Sequence, residues 1–304
     1  MVAKFLSAPL LIAVIAIAMG TAIDALVKAI APGAGLHHLL AWRFLFGGMI
    51  AFTVFRAQKR PRPDFASIRF HTMRGVVQLG CAVTFFFSLM HLPLAVATII
   101  GFTAALMVPF VARILMGERV TPVALIATVI GFAGASLAVT GRPQNGEASD
   151  LWMYGIVSCF LAAFLYALGL VLLRMRATKE DATTIAMFTN VVPAVLLLPV
   201  TIGLFGTPNW QHIPYFLMFG IFGFIVWYLM TLAYARAPAQ RLAPLEYSAL
   251  IWSGLFGSVF FDEYPGWQTW VGAVIIIGAC LIVAFEERFT TRKETGLPVS
   301  DLPE

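Results

Sequence analysis

Residues 151–173 read LWMYGIVSCFLAAFLYALGLVLL, a run without a single charge. A helix crosses the roughly 30 Å hydrocarbon layer of a bilayer in about 20 residues. This run is therefore long enough to span one. It does not alternate with the period of two that a barrel strand needs, so a helix is the structure that satisfies its backbone in lipid. The rest of the chain agrees. Of 304 residues, 60% are hydrophobic and 12% charged, with a mean hydropathy of +0.89. A soluble domain carries about 25% charged residues, and a globular surface cannot hide this much apolar area from water. Soluble enzymes, nucleic-acid-binding proteins and disordered chains are excluded.

Ten such runs are expected, near residues 8–30, 38–54, 75–90, 93–115, 121–140, 151–173, 183–205, 213–234, 242–260 and 267–285. The net charge of +5 and pI near 9.3 report topology, because the basic residues lie between the runs. With both termini in the cytoplasm, 17 of the 20 Lys and Arg residues fall inside or at inner span ends, and only Arg142 falls outside. This places the chain in the inner (plasma) membrane as a multi-pass protein with both termini cytoplasmic. The first run is interrupted by Asp24 and Lys28 and lacks a good cleavage site. It reads as a retained span rather than a leader. Cys81, Cys159 and Cys280 each lie within an apolar run and offer neither a disulfide framework nor metal spacing. They read as packing residues.

The halves of the chain resemble one another. Pro93 precedes Glu118 by 25 residues and Pro238 precedes Glu263 by 25, so one offset of 145 relates both pairs. LPLAVATIIGF (residues 92–102) and ILMGERVTPVALIATVIGFAGASL (114–137) match APAQRLAPLEY (237–247) and VFFDEYPGWQTWVGAVIIIGACL (259–281). Five spans per half is an odd number, so the second half enters the membrane in the opposite sense. The expected fold class is an all-α membrane protein of ten transmembrane helices in two inverted five-helix repeats, residues 8–140 and 151–287. A polar link at 141–150 joins them, and 288–304 form a cytoplasmic tail. Alternating-access carriers are often built this way.

A charge at lipid depth is costly and usually faces a cavity or a partner. Asp24 and Lys28, four residues apart on one helix face, can pair with each other, and Arg43 lies a few residues into the second span. Together they offer a carboxylate and two cations to a substrate of both signs. Glu246, in APLEYSALIW near the start of span nine, follows a helix-breaking Pro244. A desolvated glutamate holds protons more readily, which suits proton coupling. Tyr247 adds a hydroxyl and a ring. Trp227, with Trp42, Tyr228, Tyr234 and Trp252, is a candidate aromatic lining. His37 and His38 read as solvated residues, since neighbours on a helix do not converge on a metal. Gly101, Gly131, Gly134, Gly272 and Gly278 read as points of close helix approach. No P-loop, GxSxG, HExxH or dinucleotide fingerprint occurs. No metal, cofactor or nucleic-acid site is expected, the chain is not read as an enzyme, and ATP-driven transport by this chain alone is disfavoured.

The ten spans, the segments LPLAVAT and APAQRLAP, and the turns MGERVTP and FDEYPGW resemble the drug/metabolite transporter superfamily, EamA type. AIDALVKAI, AWRFLFGG, APLEYSALIWSGLFGSVFFDE and WVGAVIIIGACLIV are similar to carriers of that superfamily such as the S-adenosylmethionine uptake proteins. The resemblance implies binding roles for Asp24, Lys28, Arg43, Glu246 and Tyr247. It departs in span six, where Tyr166 is nearly the only polar group. The expected function is secondary active transport of a small, amino-acid-like or zwitterionic metabolite, with the bilayer and possible protons as partners. The alternatives are a carrier of an aromatic or vitamin-like compound such as riboflavin, a drug exporter and, in a different class, an intramembrane enzyme or scaffold.

Overall fold

The computed structural model describes residues 8–59, 63–141, 150–176, 182–234 and 245–295. Among them the chain is all-helical, without strands. The helices are α1 (Ala8–Ala34), α2 (Leu36–Ala57), α3 (Phe65–His91), α4 (Leu94–Met116), α5 (Pro122–Thr140), α6 (Trp152–Arg176), α7 (Ala182–Phe205), α8 (Ile213–Tyr234), α9 (Ala249–Phe261) and α10 (Trp267–Thr295). Eight stretches are long and apolar enough to cross a membrane, seven within α1 to α7 and the eighth, Trp210–Met230, running from the turn before α8 into it; Ala249–Phe261 and Trp267–Val283 are shorter apolar helices. Most of the link between the halves, the tail beyond 295, and Pro238, Arg236 and Arg241 lie outside the described residues.

The helix ends follow from local chemistry. The Asp64 carboxylate accepts the backbone N–H of Ser67 at 2.8 Å and starts α3. The Thr121 hydroxyl accepts that of Ala124 at 3.1 Å and starts α5, with Pro122 in its first turn. Gly117 closes α4 in the left-handed region at φ 72°. Only Leu92 and Pro93 separate α3 from α4. Leu92 is extended, as a residue before proline prefers. α3 begins ten residues earlier than the apolar run suggested, because helix formation does not stop where hydropathy falls. Arg74, read as part of a cytoplasmic loop, is instead a buried residue of α3. It donates to the carbonyl of Ile185 at 3.1 Å and to the hydroxyl of Thr189, both on α7.

Helix pairs form between distant parts of the chain: α5 with α10, α2 with α7, α3 and α4 with α6, and α1 with α8. The core is aliphatic and aromatic, with Leu39, Leu40, Phe44, Leu89, Leu94, Phe216 and Phe219 almost fully covered. Large apolar side chains such as Val129, Val195, Ile251 and Val274 point outward, the arrangement expected where the outer solvent is lipid. The α5–α10 contact depends on small residues. A Cβ on Gly134 would meet Ile275 at 2.8 Å and the Gly272 carbonyl at 3.0 Å, and one on Gly272 would meet Ala138 at 2.8 Å. Gly101 and Gly278, grouped with them in the sequence reading, differ: nothing lies within 4 Å of a Cβ at either. Overpacking costs about 1–3 kcal/mol. Gly272→Leu is therefore expected to lower the melting temperature of the purified protein clearly, and Gly278→Leu to leave it within a degree or two. Differential scanning fluorimetry in detergent distinguishes the two.

Candidate functional site

The inward face of α1 carries Asp24. Nine residues separate it from lipid-facing Ile15, about two and a half turns, which puts the two on opposite sides of the helix. Asp24 is half-buried and faces Arg43 of α2. The two charges lie within interaction range, yet among the described residues no ion pair of 4.0 Å or less joins them. The Arg43 guanidinium is held by ring faces instead, 5.0 Å from Phe44 and 5.2 Å from Phe86. Gly223 of α8 leaves room for it, since a Cβ there would stand 3.7 Å from Nη2. A narrow cleft opens beside Arg43, lined by Gln78, Thr189, Asn190 and Gly220 among others. Its free volume of about 20 Å³ is room for one water, not for a metabolite.

Lys28 does not pair with Asp24, as their spacing suggested. Its ammonium pairs with Glu263, in the loop between α9 and α10, and also donates to the carbonyl of Leu92. The Phe261 ring lies 5.4 Å away. The second carboxylate oxygen of Glu263 accepts the backbone N–H of Leu94 at 2.9 Å. One acid thus caps α4 and anchors α1, favourably placed at the positive end of a helix dipole. The position 145 residues earlier, Glu118, holds an exposed pair with Arg174 at 3.2 Å.

Glu246 is exposed and lies just before α9. It is within interaction range of the Tyr166 hydroxyl on α6, and Tyr166 is in turn within range of Cys81, which neighbours Arg43. Asp24 thus faces Arg43, and Glu246 faces Tyr166. Tyr247 is turned elsewhere. Its ring meets Phe102 edge-on at 5.2 Å and its hydroxyl lies near Cys280, so it packs α4 against α10. Trp227 belongs to α8, but its side chain lies outside the described residues. Tyr228 is 59% exposed on the outer surface, while Trp252 stacks on Phe256 at 6.2 Å. His37 and His38, expected to be solvated, are packed: His37 stacks on Phe205 at 3.9 Å, and His38 is buried. The three cysteines are buried and donate weakly to the carbonyls of Ala162, Ala97 and Phe102. Among the described residues no three potential metal ligands come together.

Sequence reasoning passed over Gln78, Thr189, Asn190, Arg74 and Glu263. Isolated polar residues in apolar runs were a signal for the first three. Glu263 was marked only as the repeat counterpart of Glu118, and nothing local announced its role, because its partners are 169 and 235 residues away.

The chain is a multi-pass helical membrane protein with Asp24 and Arg43 turned toward the bundle interior. The EamA-like transporter family matches residues 6–140 and 153–285, and the chain belongs to it. The S-adenosylmethionine uptake transporter of Rickettsia bellii is 24% identical over 86% of this chain and 89% of that one, and that of Rickettsia prowazekii is 26% identical over 84% and 86%. The riboflavin transporter of Rhizobium johnstonii is 30% identical over 60% of this chain and 59% of its own. A solved crystal structure aligns at a TM-score of 0.62 with 19% identity, covering 91% of this chain and 98% of the other, which speaks to the fold alone. The protein is a small-metabolite transporter of the drug/metabolite transporter superfamily.

Proposed function

We propose that this protein is a secondary active carrier that moves a zwitterionic, amino-acid-like metabolite across the inner membrane by alternating access. Ten spans in two inverted five-helix repeats, with both termini cytoplasmic, would form the moving halves. The observation that carries the reading is the inward pair of Asp24 and Arg43, close enough to interact but not joined. A half-buried carboxylate and guanidinium that are not joined to each other retain their capacity for a ligand's ammonium and carboxylate. S-adenosylmethionine, which the Rickettsia relatives are named for taking up, is itself of this chemical kind. Glu246, exposed at the broken start of α9, is the group suited to exchange a proton during the cycle. Lys28 is committed to Glu263 and supports the site rather than contacting the cargo.

The test is transport by the purified chain alone in proteoliposomes, with S-adenosylmethionine, riboflavin and a panel of amino acids as labelled cargo. Concentrative uptake of a zwitterion under an imposed proton gradient is expected. Uptake confined to riboflavin, unaffected by loss of Asp24, would transfer the reading to an aromatic or vitamin-like cargo. No movement of any compound would sink it.

A further inference from the structure

The ion pairs Lys28–Glu263 and Glu118–Arg174 sit at the two ends of one helix. Glu263 accepts the first N–H of α4, at Leu94, and Glu118 lies just beyond the last residue of α4, Met116. With 23 residues, α4 is about 35 Å long. That is enough to cross the roughly 30 Å hydrocarbon layer, so the two pairs stand on opposite faces of the bundle.

The pairs are built alike. Each joins an acid in the loop between the last two helices of one half to a base near the C-terminal end of the first helix of the other. Glu263 meets Lys28 on α1, and Glu118 meets Arg174 on α6. The acids are 145 residues apart and the bases 146. Their surroundings differ: Lys28 and Glu263 are largely covered, whereas Glu118 and Arg174 are exposed. The covered acid is aimed by the end of α9. Asp262 takes the left-handed region at φ 53°, and the Glu263 N–H returns to the Gly257 carbonyl at 3.0 Å. A Cβ on Gly257 would stand 3.4 Å from Oε2 of Glu263, so the carboxylate lies back over α9. Lys28 is one turn from Asp24 on the same face of α1. The covered pair therefore stands between Asp24 and its own end of the bundle.

We propose that Lys28–Glu263 is the latch of an outer gate and Glu118–Arg174 its repeat-related inner counterpart, one pair becoming covered as the other is opened. The gate rests on the carrier reading and adds its moving parts. With the termini cytoplasmic, the Lys28 end is the outer one, and the structure is the state shut to the outside. An ion pair suits a latch. The attraction within a covered pair is nearly balanced by the hydration its two charges give up, so it can part as water enters, which an apolar seal resists.

The experiment uses the full chain in intact cells. Gln78→Cys, in the cleft beside Arg43, is the reporter, and the buried native cysteines set the background. A membrane-impermeant methanethiosulfonate reagent added outside is expected to label position 78 at least tenfold faster when Lys28→Met or Glu263→Gln is also present, and no faster with Glu118→Gln. Unchanged labelling with both Lys28→Met and Glu263→Gln, or an equal gain with Glu118→Gln, would overturn the gate. A gain seen only in inside-out vesicles would overturn its placement at the outer face. A second measurement serves where the single changes unfold the chain. Lys28→Cys combined with Glu263→Cys, bridged by a short bifunctional methanethiosulfonate, should stop cargo uptake, and reduction should restore it. Undiminished uptake by the bridged protein would overturn the latch. Labelling needs no cargo, so its failure is read separately from a failure of the carrier reading, which shows as no uptake of any compound by the parent chain.

Discussion

Asp24→Asn and Arg43→Gln each reduce cargo uptake about 100-fold or more while the protein still purifies as a folded species. The expectation follows from two observations. Each group is turned away from lipid, where a charge is tolerated only for a partner or a cavity. Neither is used up by the other, since among the described residues no ion pair within 4.0 Å links them. Removing one partner from a desolvated charged contact costs about 2–5 kcal/mol, which corresponds to factors of tens to thousands in affinity. Stability responds less, because Asp24→Asn keeps the side-chain volume and Arg43→Gln, though shorter, keeps a planar polar end among Phe44, Phe86 and Gly223. Arg43→Lys is an informative control. It keeps the charge but loses the planar fork and the stacking on both rings, so it should recover only a small part of the activity. Initial rates in proteoliposomes, normalised to protein and accompanied by melting temperatures, measure both sides. Uptake that survives both neutralisations would show that the pair is structural.

What could be read from the sequence was what depends on lipid. The uncharged run at 151–173 required a helix, and α6 occupies Trp152–Arg176. The cost of burying charge singled out Asp24 and Arg43, and both face inward. What could not be read depends on distant parts of the chain meeting. Lys28 looked like the partner of Asp24 because four residues separate them, but the three-dimensional partner is 235 residues away. Tyr247 looked equivalent to its neighbour Glu246, yet one turns into the α4–α10 packing and the other stays exposed. Gly101 carries the same letter as Gly134, but one meets empty space and the other a facing helix. Residue type predicts the cost of a placement, whereas only topology determines what stands opposite it.

The same contrast makes the Lys28–Glu263 pair the place where stability should be most sensitive. Both side chains are largely covered, with 12% and 15% accessible. The Glu263 carboxylate serves two elements at once, the ammonium on α1 and the first N–H of α4. Breaking a buried pair by removing one partner costs about 3–5 kcal/mol, and loss of a helix cap costs about 1 kcal/mol more. Glu263→Ala loses both and leaves Lys28 with only the Leu92 carbonyl, so it should be the most damaging. Glu263→Gln keeps an oxygen for Leu94 and should cost less. Lys28→Met leaves a carboxylate that still accepts from Leu94 and should fall between them. In a double-mutant cycle, Lys28→Met combined with Glu263→Gln should cost clearly less than the sum of the two single changes, because each removes the charge that the other leaves uncompensated. Glu118 and Arg174 provide the comparison. They are exposed, at 39% and 59%, and an exposed pair contributes little, so Glu118→Gln should leave the melting temperature nearly unchanged. Equal, small shifts at Glu263 and Glu118 would mean that the loop between α9 and α10 does not hold α1 and α4 together.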